Sequence, residues 1–378
     1  MQSMRQEASF HAMRAALLEA SDKPLEVVSD IDIEDPRAGE VLVRVSHCGV
    51  CHSDLSLANG TFPVMAPTVL GHEAAGTVEA IGAGVTELAV GDKVVLTPVP
   101  VCNACYWCVR GEYGCCVNNA AITTGTFNDG RTPLSRHGQP VLRGVGLGGF
   151  AERVITPVTG AIKVPDDTPL EVACVIGCAV QTGVGAVLNT ARVPEGATVL
   201  VVGGGGIGIA IVQGARVAGA ARIILSDPVE SRREGALRFG ATDVIDPKTE
   251  NVIERVHAIT NGIGVDDAFD AVGSSVAIET CLWSTRNGGT TVLVGAGSLD
   301  QSVSLAPPVI FMLSERKIMG SFLGGSSGRR DIPRLIALWK AGRIDLESMI
   351  TDRRPLTEVN EAFADMTAGL GLRTVLNI

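Results

Sequence analysis

The stretch Thr198-Val-Leu-Val-Val-Gly-Gly-Gly-Gly-Ile-Gly208 contains the pattern that decides the fold of this chain. Its first five residues are typical of a buried strand, and the glycines that follow have the spacing Gly-x-Gly-x-x-Gly from Gly203 to Gly208. Such glycines allow a tight turn and let the backbone approach a pyrophosphate at a helix N-terminus. The next apolar run ends at Asp227, nineteen residues beyond Gly208, where a carboxylate can bind a ribose. Together these features predict a dinucleotide site rather than a glycine-rich turn without a ligand.

The chain after about residue 180 alternates apolar strands with amphipathic helices. We expect strands at 198–202, 222–226, 243–246, 267–272 and 290–295, and helices at 207–218, 230–239, 252–259 and 277–286. This alternation is typical of a parallel, doubly wound sheet with helices on both faces. The pattern therefore predicts an α/β domain of the Rossmann type over residues 180–322. Its cofactor turn would consist of Gly203, Gly205, Gly206, Ile207 and Gly208.

The N-terminal part of the chain consists of short β-like runs separated by glycines, for example 40–45, 75–82 and 91–96. Helical periodicity is scarce there, which predicts a mostly antiparallel, barrel-like domain. We assign residues 1–179 to this domain together with 323–378, which contain two helical stretches and a final apolar strand. Residues 1–12 lack an apolar signal-like core, and we expect them to be an extension without stable structure. Residues 118–149, rich in Gly, Thr and Asn, are expected to form a long functional or interface loop.

Two potential zinc ligands lie in the segment Cys51–Glu73. Cys51 and His72 each interrupt an apolar run, and a thiolate with a neutral imidazole is a donor set that Zn²⁺ prefers. Glu73 adds a carboxylate at the same place, and Asp54 can orient a histidine ligand. Taken alone, the segment is also compatible with a buried free cysteine and a hydrogen-bonded core histidine.

Four cysteines with metal-binding spacing follow within fifteen residues: Cys102, Cys105, Cys108 and Cys116. The Cys-x2-Cys steps let neighbouring thiolates meet on one tetrahedral ion at about 2.3 Å. Four protein ligands leave no position for a substrate, so this zinc site would be structural. Disulfides or an iron–sulfur cluster remain the alternatives, and Cys115 is an ambiguous neighbour of the last ligand.

The net charge of −10 argues against a nucleic-acid partner or an anionic membrane surface as the target. No apolar run reaches the roughly 18 residues of a membrane span. The ten cysteines are not preceded by a recognisable secretory signal, so metal binding or chemistry is a better explanation for them than cross-linking. We expect a cytoplasmic protein.

The motifs, in this order, resemble the zinc-containing alcohol dehydrogenases of the medium-chain dehydrogenase/reductase superfamily. The resemblance runs over residues 13–378 and covers Gly49-Val-Cys-His-Ser-Asp54, Gly71-His-Glu-Ala-Ala-Gly76, the four-cysteine segment, Ile176-Gly-Cys178, the dinucleotide turn and Leu372-Arg-Thr-Val375. It implies a GroES-like barrel domain for catalysis next to the Rossmann domain. It also implies two zinc ions per chain and NAD as the cofactor.

The resemblance further implies the roles of individual residues. Cys51, His72 and Cys178 would hold the catalytic zinc with Glu73 close by, and Asp54 would support His72. Ser53 would hydrogen-bond the alcohol oxygen of the substrate. The implied cofactor contacts are His52 and Arg373 to the pyrophosphate, Thr182 to the nicotinamide, and Asp227 and Arg232 to the adenosine ribose.

The implied reaction is reversible hydride transfer between NAD and a zinc-bound alkoxide. Members of one branch of the family carry a histidine at the position of Ser56, where it ends a proton relay. Ser56 cannot act as a base near neutral pH, so proton release would pass through water or involve another group such as His52. A thiol-dependent formaldehyde dehydrogenase is the alternative activity, and a zinc-binding scaffold or nucleic-acid-binding protein is a remote one.

Substrate class and assembly are also expected from the resemblance. In the glutathione-using branch an acidic residue and an arginine hold the charged ends of the adduct, but the matching positions here are Phe62 and Ala120. We therefore expect bulky apolar primary, aromatic or secondary alcohols rather than that adduct. The expected pocket residues are Phe62, Pro98, Cys115, Ala121, Val145, Ala296 and Phe322. We expect a homodimer in which the free sheet edge at 290–295 pairs with its copy.

Overall fold

The computed structural model describes residues 10–305 and 307–378, and this part of the chain divides into two compact units. Unit 1 contains the described residues up to Gly111, together with Cys115–Gly177 and Asp352–Ile378. Unit 2 contains Glu112–Gly114 and Cys178–Thr351.

The elements of the described residues are numbered in chain order. The strands are β1 (Phe10–Leu18), β2 (Glu26–Glu34), β3 (Glu40–Gly49), β4 (Thr68–Val69), β5 (Glu73–Ile81), β6 (Lys93–Leu96), β7 (Leu134–Arg136), β8 (Gln139–Arg143), β9 (Arg153–Pro157), β10 (Ala161–Lys163), β11 (Thr198–Val202), β12 (Arg222–Ser226), β13 (Asp243–Ile245), β14 (Val265–Asp270), β15 (Thr285–Leu293), β16 (Lys317–Gly320), β17 (Asp352–Pro355) and β18 (Thr374–Asn377). The α-helices are α1 (His52–Ala58), α2 (Ala121–Thr124), α3 (Leu170–Ala173), α4 (Ala179–Gly185), α5 (Gly206–Ala218), α6 (Glu230–Phe239), α7 (Val252–Ile259), α8 (Ser275–Ser284), α9 (Pro308–Ser314), α10 (Gly328–Lys340) and α11 (Val359–Thr367).

Unit 1 is mostly β, as predicted, and contains a closed barrel and a second sheet. The barrel has the strand order β1-β2-β7-β8-β4, and the second sheet has the order β10-β6-β5-β3-β18-β17, with β9 paired to β3. Alternation along β2 shows why a barrel forms: Ile31 and Ile33 are fully buried, whereas the residues between and beside them are partly exposed. One face of the strand therefore fills the barrel interior and the other faces solvent.

Residues 118–149 do not form the long loop that we expected. They contain α2 and the hairpin of β7 and β8, and this hairpin completes the barrel. His137 and Gly138 connect its strands, both with positive φ (51° and 76°), which matches the twist of a tight hairpin turn. The strands were hidden in the sequence because they are short and rich in polar residues.

The start of unit 1 also differs from the expectation. Strand β1 begins at Phe10, and residues 10–12 already pair with β2, so they are not part of an unstructured extension. The rest of the expected extension, residues 1–9, lies outside the described residues.

Unit 2 has the predicted parallel, doubly wound sheet, with strand order β13-β12-β11-β14-β15-β16. Strand β11 pairs with β12 on one side and with β14 on the other, so the strand order reverses at β11. Ligands of such sheets bind beyond the carboxyl ends of the strands at this switch point. The predicted edge at 290–295 is wrong, because the four-residue strand β16 pairs with β15 and forms the edge. Its Lys and Gly residues concealed it.

Residues 323–351 belong to unit 2, although we assigned them to the barrel domain from the sequence. The side chain of Gln213, on α5, explains the difference. Its Oε1 accepts a 2.6 Å hydrogen bond from the backbone N–H of Asp345, and its Nε2 donates one of 3.2 Å to the carbonyl of the same residue. Gln213 is buried, so these bonds hold the segment after α10 against the Rossmann sheet.

The helices of the described residues are short. The apolar helix α5 has 13 residues, most of which are buried. No single helix in the described ranges is long and apolar enough to cross a membrane, although the bent pair 170–177 and 179–191 meets the length and composition criteria jointly.

Candidate metal and dinucleotide sites

Four buried side chains with metal-ligating atoms converge: Cys51, His72, Glu73 and Cys178. One ligand atom from each lies within 4.8 Å of the others. Their exposed fractions are 8% or less, so solvent does not stabilise the charged forms of these groups. The arrangement thus brings together the residues that the sequence placed about 20 and 100 positions apart.

The backbone positions each of these donors at the end of an element. Cys51 precedes α1 with extended φ and ψ of −119° and 152°. His72 directly precedes β5 and Glu73 begins it, and Cys178 directly follows the 3-10 helix Cys174–Gly177 of unit 1. Residues at element ends can project into a common space, whereas residues within a strand alternate between its two faces.

Two glycines are required by the close packing at this cluster. A Cβ atom on Gly49 would lie 2.2 Å from Oε2 of Glu73, so any larger residue would displace the carboxylate. Gly71 has φ of +92°, and a Cβ atom there would lie 2.5 Å from the backbone N of Phe150. Both glycines are part of the motifs that the sequence indicated, but their steric reason was visible only in the structure.

Asp54 orients the ring of His72. The Nδ1 atom of His72 lies 3.1 Å from the Asp54 carboxylate, which also accepts a 2.8 Å hydrogen bond from the N–H of Gly71. Burial lowers the pKa of His72, but the charges of Asp54 and Cys51 outweigh it and raise that pKa well above its usual value. The Nε2 atom of His72 is buried and makes no hydrogen bond to the described residues, which leaves it available as a ligand.

Arg373 lies next to Glu73. Its Nη1 atom is 3.3 Å from Oε1 of Glu73 and donates a 2.8 Å hydrogen bond to the carbonyl of Val50. Burial raises the pKa of Glu73 to about 7, and the charge of Arg373 opposes this rise. The sequence suggested only a pyrophosphate contact for Arg373, and the pairing with Glu73 was missed. The signal for it was weak: a carboxylate in an apolar stretch needs a cation, but the sequence does not say which one.

The donor set fits zinc. Two thiolates and an imidazole are ligands that Zn²⁺ prefers, and a carboxylate lies beside them. The orphaned, buried Nε2 atom of His72 and its Nδ1–Asp54 hydrogen bond reproduce the arrangement of metal-binding histidines. Cys51, His72 and Cys178, with Glu73 adjacent, would therefore hold the ion.

The second group consists of the four predicted cysteines, Cys102, Cys105, Cys108 and Cys116, whose sulfur atoms also lie within 4.8 Å of one another. Backbone N–H groups point at the sulfurs: those of Cys105 and Cys102 lie 3.3 Å from Sγ of Cys102 and Cys116, respectively. Hydrogen bonds from the backbone of Val117 and Cys108 lower the pKa of Cys105 to about 6, whereas burial raises that of Cys108 to about 12.

These sulfurs also fit zinc rather than disulfides. None of the ten cysteines, all within the described residues, forms a disulfide, and N–H donors stabilise thiolates of the kind that bind a metal. Cys115, the ambiguous neighbour, is exposed and lies outside the group. The arrangement is a closed four-thiolate site.

The glycine-rich turn of unit 2 connects β11 to α5. Gly203 has φ of +98°, and a Cβ atom on Gly208 would lie 1.8 Å from the carbonyl oxygen of Gly203. A Cβ atom on Gly205 would meet nothing within 4 Å, so the turn is open at its middle glycine. This is the arrangement expected where a pyrophosphate approaches the backbone near a helix N-terminus, here that of Gly206 and Ile207.

Asp227 lies at the end of β12, next to this turn. It is buried, and its carboxylate accepts hydrogen bonds of 2.7 Å from the N–H of Gly204 and 2.8 Å from that of Val229. Arg232 lies 3.9 Å from the same carboxylate, and Arg233 donates to the backbone carbonyl of Asp227. A carboxylate held in this way can accept further hydrogen bonds from ribose hydroxyls.

The remaining predicted residues lie on both units. His52 is exposed at the start of α1, and Oγ of Ser53 lies 3.9 Å from Sγ of Cys51. Thr182 is buried on α4 in unit 2. In unit 1, Pro98, Ala121 and Val145 are buried, Phe62 is half-buried and Cys115 is exposed. In unit 2, Ala296 and Phe322 are exposed.

Both units match known protein families. An alcohol dehydrogenase GroES-like domain matches residues 37–166, and a zinc-binding dehydrogenase domain matches residues 206–341. The fold and the donor clusters thus define a zinc-binding dehydrogenase with a barrel domain and a Rossmann domain.

Three relatives define the family more closely. S-(hydroxymethyl)glutathione dehydrogenase of Escherichia coli O6:H1 is 39% identical, with 96% of this chain and 99% of the relative covered. Among solved structures, an alcohol dehydrogenase zinc-binding domain protein from Burkholderia ambifaria has 36% identity, a TM-score of 0.93 and coverage of 98% and 100%. Benzyl alcohol dehydrogenase from Acinetobacter calcoaceticus has 31% identity, a TM-score of 0.92 and coverage of 97% and 99%.

This chain belongs to the zinc-containing alcohol dehydrogenases of the medium-chain dehydrogenase/reductase superfamily. It is an oxidoreductase that acts on CH–OH groups, with zinc and NAD as its cofactors.

Loss of one zinc site should have a different effect from loss of the other. We expect Cys51→Ser to abolish turnover with little change in thermal stability. Cys105→Ser should lower the free energy of unfolding by several kcal/mol, because structural zinc in small domains contributes roughly 10 kcal/mol. Elemental analysis should give two zinc ions per chain in the wild type and one in each variant. A single zinc ion or none in freshly purified wild-type protein would contradict this assignment.

Proposed function

We propose that the protein oxidises bulky apolar alcohols, aromatic or secondary, with NAD, or reduces the corresponding carbonyl compounds with NADH. The observation that carries this proposal is the absence of charge at Phe62 and Ala120, in a chain whose buried donors form a zinc site. Phe62 is half-buried and Ala120 is exposed. Because neither side chain carries a charge, neither can form an ion pair with a charged end of a substrate. Similarity to a solved benzyl alcohol dehydrogenase supports the choice of an aromatic alcohol.

Zinc supplies Lewis acidity that makes an alcohol a stronger acid, and NAD supplies the hydride acceptor. The chain itself positions these partners. Asp54 holds the ring of His72 so that Nε2 points away from the carboxylate. Ser53, at the start of α1, would accept a hydrogen bond from the hydroxyl group of the substrate and so fix the position of the substrate oxygen. Arg373 balances the charge of Glu73 among the buried donors.

Proton release from the site would begin at Ser53. Ser56 lies one turn further along α1, but a hydroxyl group cannot serve as a base near neutral pH. His52 is exposed at the start of the same helix, so we assign it, together with water, to the final transfer to solvent.

The walls of the substrate pocket would be apolar. Ala121 and Val145 in unit 1 are buried and are smaller than the side chains common at these family positions. Each CH₂ group that a substrate buries contributes about 0.8 kcal/mol, so a larger substrate gains more from such walls than ethanol does. The half-buried Phe62 of unit 1 would provide a ring on which an aromatic substrate can stack.

Oxidation of S-(hydroxymethyl)glutathione is the second candidate function. The curated relative with that activity is 39% identical over nearly the whole chain. This relationship favours the same overall chemistry, but the substrate's charged ends would lose charge-assisted bonds of about 1.5–3 kcal/mol each at Phe62 and Ala120.

A substrate panel tests the proposal. We expect kcat/KM for benzyl alcohol to exceed that for ethanol by at least about tenfold, because the ring buries several more carbon atoms. Formaldehyde should be oxidised poorly whether or not glutathione is added. Absorbance of the reduced cofactor measures each rate, and an equal or higher kcat/KM for ethanol contradicts the proposal.

The matched control for this panel is the double variant Phe62→Asp, Ala120→Arg. It installs the two charges of the glutathione-using branch and should raise the rate with formaldehyde plus glutathione. Efficient use of that mixture by the wild type would establish the second candidate function instead.

Asp227 should set the preference for NAD over NADP. A carboxylate accepts hydrogen bonds from both ribose hydroxyls and repels a 2′-phosphate. We expect Asp227→Gly to reduce kcat/KM with NAD by at least about tenfold, the equivalent of one charged hydrogen bond. The difference between kcat/KM with NAD and kcat/KM with NADP should therefore become smaller. The control is Asp246→Asn, which removes a carboxylate that forms an ion pair with Arg233. It should leave the ratio of kcat/KM with NAD to kcat/KM with NADP unchanged. A wild-type preference for NADP would refute the assignment.

We also propose a homodimer built on the edge of the Rossmann sheet. Strand β16 forms this edge, and apolar side chains are exposed on it and on α9: Met319, Val309, Ile310, Met312 and Leu313. Leu313 alone is 68% exposed. An apolar edge of this kind needs a cover, and pairing with the same edge of a second copy supplies it.

Charge on this edge should separate the subunits. We expect Leu313→Asp to convert a dimer into a monomer in sedimentation velocity, because burial of an unpaired carboxylate in the interface is costly. Leu237→Asp, at a similarly exposed apolar residue on α6, is the control and should remain dimeric. A wild-type monomer, or a wild-type tetramer, contradicts the proposed assembly.

We further propose that the protein acts in the cytoplasm. None of its ten cysteines forms a disulfide in the described residues, and all except Cys115 are buried or belong to a metal-ligating group, which is compatible with a reducing compartment.

A further inference from the structure

Arg143 is the most unusual buried residue of unit 1. It is 2% exposed, yet its Nε and Nη2 atoms have no hydrogen-bond partner among the described residues. Burial, followed by the nearby charge of Arg131, lowers the pKa of Arg143 to about 10, so the side chain remains a cation at neutral pH. A buried guanidinium with two unpaired nitrogen atoms is normally unfavourable, so its presence suggests a role other than stability.

The guanidinium of Arg143 stacks on an aromatic ring. Its Cζ atom lies 3.8 Å from the ring centroid of Phe127, and Cζ of Arg131 lies 4.5 Å from the same centroid. Arg131 is itself anchored by ion pairs to Glu34 on β2 and Glu40 on β3. Phe127 is therefore held by two cations, one of which is fixed to the barrel.

The segment 121–127 is also tied to the strand that carries Arg143. The N–H of Arg143 donates a 3.0 Å hydrogen bond to the carbonyl of Gly125. A Cβ atom on Gly125 would lie 2.9 Å from Cβ of Leu142, and one on Gly146 would lie 3.2 Å from the carbonyl carbon of Ala121. Helix α2 thus rests directly on the turn 144–146.

Val145 lies within this turn in a strained conformation. Its φ and ψ are 51° and 31°, a left-handed conformation in which a β-branched residue is rare. Strained residues persist only where the surrounding contacts hold them, and they concentrate at functional sites. Val145 and Ala121 are both buried, and we assign both to the substrate pocket.

We propose that Arg143 is a positioning residue for substrate selection: by stacking on Phe127 it holds α2 and the strained Val145 in place as a rigid wall of the substrate pocket. This inference rests on the proposed function, which assigns Ala121 and Val145 to that wall. Arg143 itself does not contact the substrate. Its role is to keep the wall from relaxing, so that bulky substrates meet a preformed surface.

Three variants test the inference in the full-length zinc enzyme. Arg143→Met removes the cation but keeps the length of the side chain, and Arg143→Lys keeps a cation without the planar guanidinium. Arg136→Met is the matched control, because Arg136 lies on the same hairpin but pairs with Glu19 and Asp30 at the surface. Amide hydrogen exchange, thermal unfolding and kcat and KM for benzyl alcohol and ethanol are measured for each.

We expect Arg143→Met to accelerate exchange of the amides in 121–126 and 145–148 without accelerating exchange across the barrel. The kcat/KM ratio of benzyl alcohol to ethanol should change about tenfold, equivalent to about 1.4 kcal/mol, mainly through KM for benzyl alcohol. For Arg143→Lys, the amide exchange rates and the kcat/KM ratio should lie between those of Arg143→Met and the wild type. For Arg136→Met, both quantities should match those of the wild type. The Tm of Arg143→Met should not fall, because the variant removes a buried unpaired charge.

A lower Tm with equal losses of activity on both alcohols would show a purely structural role and overturn the inference, as would unchanged local exchange. If the wild type shows no preference for bulky alcohols, the proposed function fails. In that case local exchange in 121–126 and 145–148 still decides whether Arg143 positions this wall.

Discussion

Burial of several ionisable side chains in one place is the constraint on which the rest of unit 1 depends. Cys51, His72, Glu73 and Cys178 are nearly inaccessible to water, and charged groups are unstable in such a place unless they are paired or bound to a cation. Zinc and Arg373 resolve this problem in different ways, the first by ligation and the second by an ion pair with Glu73. The barrel and its neighbouring sheet bring Cys51, His72 and Glu73 together from separate segments of unit 1.

The backbone around this cluster is shaped by the same constraint. At Gly49, the carboxylate of Glu73 occupies the space that a side chain would need. At Gly71, φ is positive, and a side chain would collide with the backbone of Phe150. In unit 2 the glycines of the cofactor turn act similarly: Gly208 packs on Gly203, while Gly205 leaves the turn open. In both units, glycine lies where a functional group, the backbone or a ligand occupies the space that a side chain would otherwise fill.

The two units differ in how much strain they contain near their sites. The cofactor turn uses glycine wherever φ is positive, so its conformation costs little. The turn 144–146, which we propose as a wall of the substrate pocket, instead places Val145 in the left-handed region; the preceding buried Arg143 stacks on Phe127. A rigid wall that is held by many contacts suits the selection of a substrate by shape, whereas the cofactor turn must fit the same pyrophosphate in every case.

The sequence by itself determined the central elements of the Rossmann unit. Strands β11 and β12 and helices α6 and α7 have the predicted bounds, because their apolar periodicity and flanking glycines are local signals. Residue type and local spacing identified Cys51, His72 and the four-cysteine group as possible donors, whereas Cys178 was identified only by resemblance to a family. Only the tertiary structure decided the rest. Contacts between segments that are distant in sequence determine the hairpin of β7 and β8, the edge strand β16 and the docking of 323–351 on Gln213. Short polar strands have no local sequence pattern that predicts such contacts. The pairing of Arg373 with Glu73 and the burial of Arg143 likewise follow from packing, since neither charge has a partner that is close in sequence.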